Sequence, residues 1–248
     1  MKQAAAENAE LPASALALYD VLLQRLDAEH AAAGRDLGRA LTWLYGKHRM
    51  DGDDLLQDLA QADPRFERPL ALMRQAFERD AAAAPGRRFA RWSDLHNHLR
   101  FACVPAGQIL LAVHGEAGIA QPALDALAIA IGLTALLQDA PRRFRSEGVV
   151  DLPVQWFPTG APIEAILGSK RRQPAVDEAY RAGLARLDEM LTIVENGARA
   201  VHNDGLRRGM LAAHFVMRRL RSRLARRSPN RREIAISPLD RLLLRWRH

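Results

Sequence analysis

Cysteine is nearly missing from this sequence: Cys103 is the only one in 248 residues. No disulfide can form within the chain, which excludes a disulfide-stapled secreted fold and fits a reducing compartment. Aromatic residues make up only 6%, and β-branched residues are sparse beside Ala and Leu. That composition disfavours sheets, whose pleated faces pack best with β-branched and aromatic side chains, and favours helices. No apolar run reaches the length that crosses a bilayer. The longest, ALAIAIGLTALL at 126–137, predicts a buried core helix. The opening MKQAAAENAELPAS has two glutamates and no apolar core, so no secretory signal is expected. Acids are missing from one long stretch: between Arg207 and Arg232 stand ten arginines and no Asp or Glu.

What is present is helical periodicity almost throughout. Helices are predicted over 14–33, 36–48, 52–62, 66–83 and 94–103, the last capped by Ser93 and continued from Pro105 toward His114. The most apolar helix is expected from Pro122 to Gln138, followed by an irregular proline-rich segment over 145–174. A long helix near 175–202, a basic one near 205–226 and a short one from Ser237 complete the pattern. There is no internal repeat, and no strand pattern exceeds a few residues. The expected fold is all-α and single-domain over 1–248, with a shortened N-terminus at 1–35 and a basic C-terminal helix over 205–232.

Three stretches together resemble the squalene/phytoene synthase family, and the bacterial hopanoid-pathway squalene synthases within it. They are DLHNHLRFACVPAGQILLAVHGE (94–116), AIGLTALLQDAPRRFRSEGVVDLP (130–153) and SRLARRSPNRREIAISPLDRLLL (222–244), and the likeness runs over about 36–248. The resemblance implies an isoprenoid-synthase-type helical bundle in which two aspartate-rich helices face each other. Their carboxylates hold Mg²⁺, which neutralises the diphosphate of an isoprenoid substrate so that it can leave.

Against that pattern the sequence departs at several positions. Asp139 matches the first aspartate of the second motif, but the second is Arg143. The family's glutamine and asparagine are matched by Gly132 and Ala135, and its Tyr-Cys pair by His98 and Leu99. Its Gly-Arg-x-Tyr tail, shifted by one inserted residue, reads Gly148-Val149-Val150-Asp151. The first aspartate motif has no clear match. Asp54 and Asp58 have the i, i+4 spacing that puts both carboxylates on one helix face, and stand with Asp139 as candidate metal ligands. A solvated helix start is the other reading of that acidic stretch.

Asp139 and Arg143, four residues apart, are expected to pair with each other, leaving a fixed cation where an ion would sit. No cofactor is then expected, and Mg²⁺ only if the protein is active. Gln138, Arg142, Arg143 and Arg145, with His98, are the candidate contacts to a diphosphate or pocket ligand, since guanidinium groups pair bidentately with phosphate oxygens. His96 and His98 are two apart and cannot chelate one ion from a helix. Cys103 is expected simply to pack, and Trp156 and Phe157 to fill the core or cover a pocket mouth.

Three functions fit these residues. One is an isoprenoid-diphosphate-binding protein with lost or impaired condensation; another is an active prenyl-diphosphate condensing transferase. The third is a membrane-associated assembly or scaffold protein with a protein partner, for which the family has a precedent in complex I assembly. The arginine run 207–232 is either a solvated face or a contact to an anionic membrane surface. Nucleic acid is disfavoured, because no reader motif or stacking aromatics accompany the charge. The expected location is cytoplasmic, peripheral on the inner membrane where that contact is made.

Overall fold

Alanine and leucine at helical spacing build a stack of helices around one long apolar element. A computed structural model of the chain describes residues 67–82, 85–113, 118–169, 171 and 173–226. In order these are α1 (Glu67–Ala82), β1 (Gly86–Arg87), α2 (Trp92–Ala102), α3 (Val104–Val113), α4 (Gln121–Glu147), β2 (Val149–Val150), α5 (Ile163–Gly168), α6 (Pro174–Gly197) and α7 (Asp204–Arg226). Single 3₁₀ turns stand at Gly118–Ala120, Val154–Trp156 and Ala198–Ala200. The all-α expectation holds, the two strands being two residues each. The predicted helices over 14–33, 36–48, 52–62 and from Ser237 lie outside the described residues.

The core is organised by α4, which packs against α2, α3, α5, α6 and α7. Leu124, Leu127, Leu133 and Leu137 are fully buried along it. This helix corrects the sequence reading: it does not stop at Gln138 but runs on to Glu147, through Pro141. By length and composition it could cross a membrane, yet 67% of its most apolar window is buried inside the bundle. About two thirds of that window is thus covered by its neighbours. The irregular segment correspondingly starts after Gly148, whose φ of 69° ends α4 in a left-handed cap that glycine adopts at no steric cost.

How α4 tolerates Pro141 follows from hydrogen-bond accounting. A proline has no N–H, so the carbonyl four residues earlier, that of Leu137, loses its helical donor. The Tyr180 hydroxyl of α6 donates to that carbonyl at 2.5 Å. The two helices come close enough because residue 183 is glycine: a Cβ there would lie 2.8 Å from Leu137 Cδ2. Tyr180 is fully enclosed, and burial, with the Asp139 carboxylate second, pushes its hydroxyl well above the usual phenol range. It therefore stays a neutral donor.

Two smaller corrections concern ends. Ser93 does not cap α2; the helix begins at Trp92, and the Asp94 carboxylate accepts from the Arg91 backbone N–H at 2.9 Å. The long helix ends at Gly197 in a 3₁₀ turn rather than near 202. Cys103, Trp156 and Phe157 are all buried in the core.

Replacing Tyr180 with Phe should cost about 1–3 kcal/mol, because it strands a buried carbonyl. In a Pro141→Ala background the restored N–H should cut that cost sharply. Urea denaturation of the four proteins tests this; equal costs in both backgrounds would refute the substitution of one donor for the other.

Candidate functional site

Asp151 sits in the apolar run Val149-Val150-Asp151-Leu152, and its carboxylate is 1% exposed. A buried carboxylate must be paired or protonated. Arg88 Nη1 lies 3.0 Å from Oδ1, and Arg143 Nη1 lies 2.8 Å from Oδ2. Arg143 also reaches Glu147 Oε2 at 3.1 Å, one helical turn along α4. The expected pairing of Arg143 with Asp139 is thus wrong. Asp139 is held instead by Arg142, through Nη2 at 3.0 Å and Nε at 3.3 Å. Helix geometry permits either partner, and the buried charge at Asp151 decides which arginine turns away.

Arg88 belongs to a strap, residues 85–91, that leads into α2. Gly86 N–H donates to Gly148 O at 2.9 Å and Arg88 N–H to Val150 O at 3.1 Å, with β1 and β2 parallel. Farther on, Val154 N–H donates to Phe89 O and Gln155 N–H to Ala90 O. Arg87 and Glu164 form a two-point pair on the outside. The Asp151 cluster therefore joins the end of α4, the strap and the segment after β2.

The other sequence candidates fall in separate places. Gln138, Arg142 and Arg145 recur at i, i+4 and i+7 and so share one face of α4, with Gln138 half-buried and both arginines exposed. His98 is on α2, its ring 5.3 Å from that of Phe89. With Ala76, Arg79, Asp94, Asn97 and Phe101 it lines an open cleft of about 200 Å³ between α1 and α2. None of the α4 candidates lines that cleft. Its neighbour His96 packs on Trp92, and burial, with Arg100 second, holds its imidazole below the ordinary range. Asp54 and Asp58 lie outside the described residues.

Gly132, matched above to a family glutamine, is a point of close approach. A Cβ there would lie 2.5 Å from Cys103 Sγ and 2.9 Å from Leu99 Cδ2. The room for a polar side chain at this position is occupied by α2 and the residue that follows it.

Mg²⁺ needs several hard oxygen ligands in a near-octahedral array. On α4 the Asp139 carboxylate is engaged by Arg142, and Arg143 presents a guanidinium one turn on. Among the described residues no group of three or more His, Cys, Asp or Glu comes together to hold a metal ion. On this wall the described residues offer the ion the single carboxylate Asp139, already held by Arg142.

The residues that sequence reasoning passed over are Arg88, Glu147 and Asp151. Glu147 was visible as the i+4 partner of Arg143, and a lone carboxylate in Val-Val-Asp-Leu was a signal that a cation must meet it. Nothing in the sequence pointed to Arg88.

The fold is that of the all-α isoprenoid synthases. A squalene synthase from Alicyclobacillus acidocaldarius superimposes with a TM-score of 0.59 over 86% of this chain and 81% of its own, at 18% identity. A dehydrosqualene synthase solved with a ligand gives 0.63 over 94% and 83%, at 16% identity. At sequence level the squalene/phytoene synthase pattern matches residues 4–240, and the chain belongs to that family. Among curated relatives, the hydroxysqualene synthase of Sinorhizobium fredii (strain NBRC 101917 / NGR234) is 28% identical over 161 residues, 63% of this chain and 53% of the relative. That of Rhodopseudomonas palustris (strain ATCC BAA-98 / CGA009) is 29% identical over 105 residues, 42% and 36% of the two chains. The matches thus span about half or less of these relatives' lengths.

Two stability measurements follow. Asp151→Asn should lose about 3 kcal/mol in urea denaturation, because two guanidinium groups are left facing a neutral amide. Asp151→Leu combined with Arg88→Leu and Arg143→Leu should recover much of that loss, and no recovery would argue against the pairing. Gly132→Gln should destabilise by about 1–3 kcal/mol through overpacking. Adding Cys103→Ala should return part of it in thermal unfolding.

Proposed function

We propose that this chain is an isoprenoid-diphosphate-binding protein of the squalene/phytoene synthase type in which Mg²⁺-dependent condensation is lost or impaired. The observation that carries the reading is the tie between Arg143 and Asp151 at 2.8 Å. Both residues depart from the pattern that the resemblance implies, and their opposite charges meet as an ion pair. An arginine held there by Asp151 and Glu147 offers an incoming divalent ion no oxygen ligand, and its carboxylate partners are already engaged. The closed space at Gly132 and the Arg142 grip on Asp139 support the same conclusion.

The ligand class rests on the relatives, which are named as hydroxysqualene synthases. Arg145, exposed on the Gln138 face of α4, is proposed to meet diphosphate oxygens directly, and Arg142 would do so by exchanging its Asp139 partner for phosphate. On this reading the protein works in the cytoplasm on a lipid-like ligand. The alternative is an active condensing transferase with Asp54, Asp58 and Asp139 as metal ligands.

Incubation of the purified protein with farnesyl diphosphate and Mg²⁺ separates the two. Squalene, its hydroxylated form and released pyrophosphate should all stay at background. Calorimetry should detect farnesyl diphosphate binding that Arg142→Ala with Arg145→Ala weakens about tenfold, two exposed charge contacts being removed. Turnover above background that Asp139→Ala abolishes would establish the transferase instead.

A further inference from the structure

Six of the seven arginines of α7 divide into two sets with different surroundings. Arg218 and Arg221 face α6, where Asp188 and Glu195 meet them: Arg221 Nη2 lies 2.7 Å from Asp188 Oδ2, and Arg218 Nη2 lies 3.4 Å from Glu195 Oε2. Arg207 is paired with Asp204 at the start of the helix. These three are neutralised by the fold.

Arg208, Arg219 and Arg226 stand elsewhere. Together with Leu211, Phe215 and Ser222 they follow the spacing 3, 4, 4, 3 and 4, which lays all six residues along one face. Arg208 and Arg226 are five helical turns apart, about 27 Å along the axis. All three arginines are exposed, whereas Leu211, Phe215 and Ser222 are partly buried. Among the described residues no carboxylate pairs with any of the three. Arg208 and Arg226 donate only to backbone carbonyls of their own helix, and the Arg219 guanidinium lies over the Phe215 ring at 5.2 Å. No acid occurs anywhere between residues 205 and 226.

We propose that this face of α7 docks on an anionic lipid bilayer, with Arg208, Arg219 and Arg226 meeting headgroup phosphates. The argument is charge complementarity joined to shape. Three exposed cations with no carboxylate partner among the described residues lie in a row on one helix, with the partly buried Leu211 and Phe215 between them. Nucleic acid fits the same charge less well. The large hydrophobic residues exposed among the described ones are Phe101, Ile119 and Ile193, none of them on α7, so this face offers no exposed ring for base stacking. The docking does not depend on the isoprenoid reading, and it can fail or succeed alone.

Co-sedimentation with vesicles tests it. The protein should bind phosphatidylglycerol-containing vesicles at low salt, ignore pure phosphatidylcholine vesicles, and be released at high salt as the charges are screened. Arg208→Ala, Arg219→Ala and Arg226→Ala together should lower binding on the order of a hundredfold, at about one elementary charge's surface attraction per residue. A control with the same charge change, Arg68→Ala, Arg91→Ala and Arg181→Ala, should bind as the parent does. Circular dichroism and the unfolding temperature check that both variants fold, and the salt titration of the parent needs no variant. Absent binding to anionic vesicles at low salt would overturn the proposal, as would equal loss in the two triple variants. So would a face variant that keeps its vesicle binding but loses binding to a short single-stranded RNA.

Discussion

The Asp151 carboxylate is the constraint on which this end of the bundle depends. A charge that is 1% exposed is stable only with compensating cations, and these come from two places distant in sequence, Arg88 in the strap and Arg143 on α4. Meeting that requirement fixes the strap beside β2, directs the chain into α2, and draws Arg143 away from Asp139. One buried carboxylate thereby sets both the local fold and the charge arrangement of the wall that the resemblance assigns to the diphosphate.

The central helix shows the same logic in neutral form. Pro141 removes a donor inside α4, and the Tyr180 hydroxyl supplies one from α6 at a place where Gly183 lets the helices close up. Position 132 is likewise a glycine because Cys103 and Leu99 press against it. These contacts make α4 a tightly packed core element over positions where the resemblance implies side chains lining a cavity. Family membership rests on the match over residues 4–240 and describes the scaffold. On that scaffold this part of α4 carries arginine, glycine and a tie to a buried carboxylate.

On α7 the distinction is between charge that the protein uses internally and charge that it presents. Asp188 alone meets two arginines, so a count of positive residues in the sequence overstates the field on the α6 side. The surface that remains is narrower and better defined than the whole arginine run.

Much of this was legible in the residues themselves. Ala and Leu at helical spacing with few β-branched side chains dictated helices, and three motif stretches identified the family, because both signals are local in the chain. The buried fates of Cys103, Trp156 and Phe157 followed from small or apolar neighbours. The length of α4 was misjudged at Pro141, since the donor that rescues the helix sits 43 residues away. The partner of Arg143 was misassigned for a related reason. Residues at i+4 and i−4 are both within reach in a helix, and the approach of β2 and the strap brings the buried charge that decides between them. The sequence by itself determined the helical class, the family and the sign of the charge on each segment. Which charges neutralise one another was left to tertiary structure, because ion pairing depends on burial and distance, and neither is written along the chain.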